Sequence, residues 1–244
     1  MNTLEFNKIY LGDAYKLIKE LPDGCIDLIV TDPPYDIQGI HGSGIMKTRK
    51  AGTFMSEIAE GELNVGIDFS ILDDFCRVLK KINCYIWCNR AMILPLLKYF
   101  VDGKKCNYEI IIKAKENPIP FCGTHYLCDK EYCLYFWEQG VDIDIPFERG
   151  KTVYLTKNNV ADKNDYGHPT IKELYIIENL IANSCKGGVV FDPFVGSGTT
   201  CLDAKHLGLQ WLGFEINEKY YKIACDRLQG INQKGQLNLF DIDN

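Results

Sequence analysis

Asp32, Pro33, Pro34 and Tyr35 follow directly on a nearly unbroken apolar run at 26–31. Their types suit the handling of an aromatic amine. An exocyclic amino group on a heteroaromatic ring is a poor nucleophile, because its lone pair is delocalised into the ring. A carboxylate at Asp32 accepting one N–H, and the backbone carbonyl of Pro33 accepting the other, would draw the nitrogen towards tetrahedral geometry and localise that pair. Two adjacent prolines stiffen the backbone and keep the carbonyl in one direction. Tyr35 offers a face on which a base taken out of a duplex can stack. The plainer alternative is a turn in which the aspartate caps and the prolines redirect the chain. A buried strand ahead of the motif favours the chemical reading, since ligands in open α/β sheets bind beyond the carboxyl ends of strands.

The second constellation is Asp192-Pro193-Phe194-Val195-Gly196-Ser197-Gly198-Thr199-Thr200, a strand end running through a glycine turn towards a helix. Glycines allow close backbone approach to a cofactor, and a helix N-terminus favours negative charge such as a carboxylate. Cys201 stands where a dinucleotide fingerprint has its third glycine, which weakens a nicotinamide reading and with it a dehydrogenase. About one strand later comes Gly213-Phe214-Glu215-Ile216-Asn217, and an acidic residue at such a strand end holds ribose hydroxyls. Together these residues point to a nucleoside cofactor.

The elements that must position them alternate. Strands are expected at 8–11, 26–31, 84–87, 108–112, 189–191 and 211–214. Helices are expected at 13–21, 69–81, 90–101, 171–185, 199–207 and 217–228, from apolar spacing and turn signals. Segments 133–138 and 152–155 read as two further strands near an edge. Alternation of this kind predicts a mostly parallel, doubly wound sheet. The 244 residues suit one domain spanning 1–244. Stretches 36–66 and 115–130 resist assignment, and the loops within 36–66 and 115–167 are the candidate recognition elements.

Charge and composition set limits on function. A net charge of −6 is unhelpful for binding phosphate as a whole. Binding is local, however, and Lys47, Arg49 and Lys50, with Lys104, Lys105, Lys113 and Lys115, fall in segments read as loops or their borders. The N-terminal residues have no basic and apolar leader pattern, and no apolar run approaches a membrane span, so a cytoplasmic protein without membrane contact is expected. Its eleven cysteines are then expected as free thiols. Cys122, His125, Cys128 and Cys133 lack a paired Cys-x2-Cys knuckle and read as scattered thiols rather than a zinc site, so no metal is expected. Trp87, Tyr135 and Trp137 lie on strand patterns and read as core.

The ordered set of motifs resembles the β class of DNA amino-methyltransferases, with the catalytic motif N-terminal and the cofactor motif C-terminal. Gly12-Asp13-Ala14 resembles that family's motif at the cofactor's adenine. Asp32–Tyr35 matches its catalytic tetrapeptide, and Lys115-Glu116-Asn117-Pro118-Ile119-Pro120 is similar to a loop of small members. His168-Pro169-Thr170-Ile171-Lys172 is similar to the motif at the cofactor's methionine end, and 192–200 to the glycine motif. The chain departs from the pattern in three places. Ile171 and Glu173 stand where Gln and Pro are common, no aromatic residue stands near Lys113, and no large separate target-recognition domain is expected.

The resemblance implies a three-layer Rossmann-like methyltransferase fold, its sheet mostly parallel with an antiparallel edge. It also implies transfer of a methyl group from S-adenosylmethionine to the N6 amino group of adenine in DNA. Asp at the first catalytic position is the adenine pattern, where cytosine-N4 enzymes usually carry Ser. Catalytic roles fall to Asp32, Pro33, Pro34 and Tyr35. Cofactor roles fall to Asp13, Ala14, Asp32, His168, Thr170, Lys172, Asp192, Phe194, Gly196, Ser197, Gly198, Thr199, Glu215 and Asn217. His168 is read as orienting the cofactor, since amine methylation needs no strong base before attack. Lys47, Arg49, Lys50, Lys113, Lys115 and Asn117 are the expected DNA contacts. The implied partners are DNA, a second copy in a homodimer, and a restriction endonuclease of the same system. Cytosine-N4 methylation, an RNA substrate and an inactive cofactor- or DNA-binding module remain as alternatives.

Overall fold

Leu28-Ile29-Val30-Thr31 is buried at every position, which is why its apolar run is unbroken: a strand covered on both faces has no polar side. It is β2 of eight strands among the described residues. The others are β1 (Lys8–Leu11), β3 (Asn83–Cys88), β4 (Asn107–Lys115), β5 (Lys130–Trp137), β6 (Val153–Thr156), β7 (Val189–Asp192) and β8 (Gln210–Glu215). The helices are α1 (Ala14–Leu17), α2 (Ile71–Val78), α3 (Arg90–Leu97), α4 (Leu174–Ser184), α5 (Thr199–His206) and α6 (Glu218–Leu228). This computed structural model describes residues 4–34, 67–118, 126–157 and 171–231.

The strands form one sheet in the order β1-β8-β7-β2-β3-β5-β4-β6. Pairing is parallel throughout except where β5 meets β3 and β4, so β5 alone runs the other way. The reversed strand expected at the edge therefore lies third from it, with β6 outermost and parallel to β4. Side chains alternate across the sheet. Ile29, Cys84, Ile86 and Phe136 face one apolar layer with Ile18, Phe75 and Phe100. Val30, Tyr85, Trp87 and Tyr135 face a second layer with Ile177, Ile181 and Leu202. Three layers result, as the alternation of strands and helices requires.

Several boundaries differ from expectation, among them those of three helices. Helix α2 ends at Val78 because Leu79 turns extended and bridges Ile26, while the Lys80 N–H donates to the Ile26 carbonyl at 2.9 Å. Helix α3 holds Pro95, and the chain continues as a π-helical turn at Lys98–Gly103 rather than as α-helix to 101. Helix α4 starts at Leu174, with Glu173 extended before it. No helix among the described residues is long and apolar enough to cross a membrane, and the described cysteines are all unpaired.

Candidate active site

The sheet order reverses between β7 and β2. After β2 the chain proceeds to β3 on one side, and after β7 to β8 on the other. Such a switch point leaves a crevice at the carboxyl ends of the two central strands. Thr31 and Asp32 stand at one side of it and Asp192 at the other. Thr31 Oγ1 donates to Asp192 Oδ1 at 2.8 Å, joining the two motifs directly. Asp192 also accepts from the Phe194 N–H at 3.0 Å, which starts the glycine turn. Burial pushes the Asp192 carboxyl up to about 7, against the hydrogen bonds it accepts.

The turn itself is built for glycine. Gly196 has φ +54° and Gly198 φ +84°, a region that costs L side chains roughly 1 kcal/mol or more. A Cβ at Gly198 would also stand 3.1 Å from the Ala224 Cβ. Gly198 is the N-cap of α5, so the turn delivers the open N–H groups of that helix to the crevice. Thr200 Oγ1 donates to the Val30 carbonyl at 3.2 Å, tying the start of α5 to β2. Ser197 and Thr199 are buried here. Arg227, on the last turn of α6 and 1% exposed, donates to Thr199 Oγ1 at 2.8 Å and to the Ser197 carbonyl at 3.3 Å. Arg227 was not singled out from the sequence; nothing in its helical pattern marks an arginine that turns inwards.

At the end of β8 the Glu215 carboxylate accepts from the Gly196 N–H and the Asn217 N–H, each at 2.8 Å. Burial raises its pKa, and those backbone donors oppose the rise. A carboxylate has about four acceptor sites, so the two N–H groups orient Glu215 without exhausting it. Strand β1 pairs with β8, and the Gly12 N–H donates to the Glu215 carbonyl at 2.8 Å. Asp13 and Ala14 are thereby brought beside Glu215, with Asp13 capping α1 through the Tyr15 N–H at 3.0 Å. Asn217, expected at the cofactor, is also a helix cap. Its side-chain oxygen caps α6, accepting from the Lys219 and Tyr220 N–H groups at 3.0 and 3.3 Å. Phe194 is half-buried, its ring 6.2 Å from that of Tyr15.

Around Asp32 the structure places charge that the sequence did not reveal. Lys172 Nζ contacts Asp32 Oδ2, lies 3.6 Å from Glu131 Oε2, and sits 4.9 Å above the centre of the Trp87 ring. Burial alone would push the Lys172 ammonium down, but Asp32, Glu131 and Glu173 carry it above the ordinary range. Lys172, expected at the methionine end of the cofactor, thus also reaches Asp32. Cys88 lies close enough for Asp32 to add to the effect of burial, which holds its thiol up at about 12. Burial also holds Cys133 and Cys201 well above the ordinary thiol range. These thiols stay protonated and supply no nucleophile.

Lys113 is corrected. It was expected at a loop border against DNA, but it lies within β4, 5% exposed, with Nζ 2.8 Å from Glu173 Oε2 and 3.5 Å from Glu131 Oε2. A phosphate contact would require leaving both carboxylates. Lys115, also in β4, pairs with Glu131 at 2.9 Å. Asn117 is exposed just beyond β4. Tyr35, Lys47, Arg49, Lys50, His168 and Thr170 lie outside the described residues.

The DNA methylase family, which groups N6 and N4 methylases, matches residues 26–226. The type II methyltransferase M2.LlaDCHI of Lactococcus lactis subsp. cremoris is 29% identical over 248 residues, covering 89% of this chain and 87% of that protein. M2.DpnII of Streptococcus pneumoniae is 29% identical over 261 residues, covering 93% and 92%. Among solved structures, the M1.HpyAVI–SAM complex superposes with a TM-score of 0.64 at 23% identity, over 91% of this chain and 98% of that one. The cytosine-N4-specific PvuII DNA methyltransferase gives a TM-score of 0.66 at 17% identity, over 91% and 86%. These structural likenesses concern the fold. With the sequence match running from the residues before β2 into α6, the chain belongs to the N6/N4 DNA methylase family.

Proposed function

We propose that this chain transfers a methyl group from S-adenosylmethionine to the N6 amino group of adenine in DNA, on a base turned out of the duplex. The carrying observation is the Thr31–Asp192 hydrogen bond, which sets the catalytic aspartate's strand against the cofactor turn at the switch point. When bound, S-adenosylmethionine supplies an electrophilic methyl group on a sulfonium. The residues present fit it: a turn whose two glycines have positive φ, the N-terminus of α5, and a buried carboxylate at the end of β8. Gly196, Ser197, Gly198 and Thr199 would hold its carboxylate end, and Glu215 its ribose. Asp13, Ala14 and Phe194 would line the adenine side, with His168 and Thr170 at the methionine end.

Asp32 accepts one amino hydrogen and the Pro33 carbonyl the other, so that the nitrogen lone pair faces the methyl group. Pro34 keeps that carbonyl in place and Tyr35 stacks on the base. Turning the base out costs a few kcal/mol, and most of the acceleration comes from positioning and electrostatics. We place DNA along 36–66 and 115–167, with Lys47, Arg49, Lys50, Lys115 and Asn117 as its contacts, in a single domain spanning 1–244. A second copy and a restriction endonuclease are its proposed protein partners, in the cytoplasm. Cytosine-N4 methylation is the second reading, favoured by the likeness to the PvuII enzyme. Digestion of methylated DNA to nucleosides, followed by mass spectrometry, separates the two. N6-methyladenine is expected, N4-methylcytosine would overturn the adenine assignment, and label incorporated into RNA alone would overturn DNA as substrate.

A further inference from the structure

Glu131 stands at the second position of β5. Because β5 runs against its neighbours, its first residues lie at the carboxyl edge of the sheet, where the reactive groups gather. Glu131 pairs in register with Lys113 of β4, and Tyr132 next to it pairs with Cys88 of β3. The glutamate is thus fixed by a strand bonded on both sides. Its carboxylate lies 3.6 Å from Lys172 and 2.9 Å from Lys115. Lysine has a flexible four-carbon stem and no preferred planar geometry, so Lys172 alone would be a poor clamp for Asp32. Glu131 on one side and the Trp87 face on another restrict its head group.

We propose that Glu131 is a positioning residue for methyl transfer: it holds the Lys172 ammonium against Asp32 Oδ2 and so fixes the orientation in which Asp32 receives the amino group. Burial disfavours the Glu131 charge, but Lys172, Lys113 and Lys115 outweigh it and keep the carboxyl well below its ordinary range. The clamp therefore stays charged at any working pH. It acts on Asp32 from the side of β5, away from the glycine turn and Glu215.

This inference rests on Asp32 as the acceptor of the amino hydrogen. The experiment is single-turnover methylation with Glu131→Gln, Lys172→Gln and the double variant, each rate expressed per cofactor-binding molecule counted by titration. Glu131→Gln is expected to slow transfer about tenfold or more, with S-adenosylmethionine affinity within about twofold of wild type. The double variant is expected to be no slower than Lys172→Gln, because the two act through one contact. An unchanged rate for Glu131→Gln overturns the proposal. So do losses that multiply in the double variant, or a loss of cofactor affinity in step with the rate. Near-normal turnover of Asp32→Ala would remove the acceptor reading and this inference together. An inactive Asp32→Ala beside a normal Glu131→Gln overturns the inference alone.

Discussion

Lys113 and Glu173 form an ion pair at 2.8 Å, and both lie at places where the chain departs from the pattern of the family it resembles. Lys113 is 6% and Glu173 10% exposed in their side chains. Both Glu173 oxygens are buried without a well-aligned hydrogen bond among the described residues, so Lys113 compensates them through charge. A glutamate just before α4 takes the place of a proline, and a buried lysine supplies its counter-charge.

The first prediction concerns that pair. Glu173→Leu alone leaves the Lys113 ammonium short of a partner and should destabilise the fold by about 3–5 kcal/mol. Lys113→Met added to it should recover most of the loss, because an apolar pair of similar size needs no counter-charge. Urea unfolding of both variants decides it. A double variant as unstable as the single one would mean that Glu173 stabilises through some other contact.

Asp192 gives a prediction with a defined pH window. Burial raises its carboxyl from 3.8 to about 7. A folded-state value above the unfolded one means that the folded protein holds an extra proton between these limits. The stability this lends is complete below the unfolded value and is lost as pH rises through about 7. Asp192→Asn carries no such charge, so its melting temperature should gain on wild type as pH rises from about 4 to about 7. A difference between the two proteins that stays constant with pH would show that Asp192 titrates normally.

Asp32→Ala should abolish methyl transfer while leaving S-adenosylmethionine binding largely intact. The proposal sets this carboxylate against the amino acceptor and the cofactor's contacts at the glycine turn and Glu215. Equilibrium binding and a radiolabelled methyl assay on one preparation test this. Turnover near that of wild type would rule out Asp32 as the acceptor of the amino hydrogen.

Glu215→Ala should weaken S-adenosylmethionine binding by about 1–3 kcal/mol, the loss of a charged acceptor of ribose hydroxyls. It also frees the Gly196 and Asn217 N–H groups that Glu215 now binds, so Glu215→Gln should lie between the two. Titration calorimetry on all three proteins provides the measurement. Equal affinities would place the ribose elsewhere.

Local chemistry was legible in the sequence wherever a motif is a continuous stretch. The strand ahead of Asp32, the glycine turn at 196–198 and Glu215 at a strand end follow from residue type, apolar run and glycine placement over a few neighbours. Those signals are short-ranged, and the alternation of strand and helix that accompanies them leads to the layered sheet. What the sequence could not supply was which strands lie side by side. That β5 runs backwards, third in from the edge, is a property of pairing. The reversal alone carries Glu131 to the carboxyl edge, into a strand that begins three residues earlier than its apolar pattern suggested. Lys113 illustrates the same limit: along the chain it is one basic residue among several, and only the approach of Glu173 from the segment before α4 makes it a buried partner. Arg227 is surface-like in its helical pattern until α6 packs on the glycine turn. Charge at an active site is compensated across distant segments, and those distances exist only once the chain has folded.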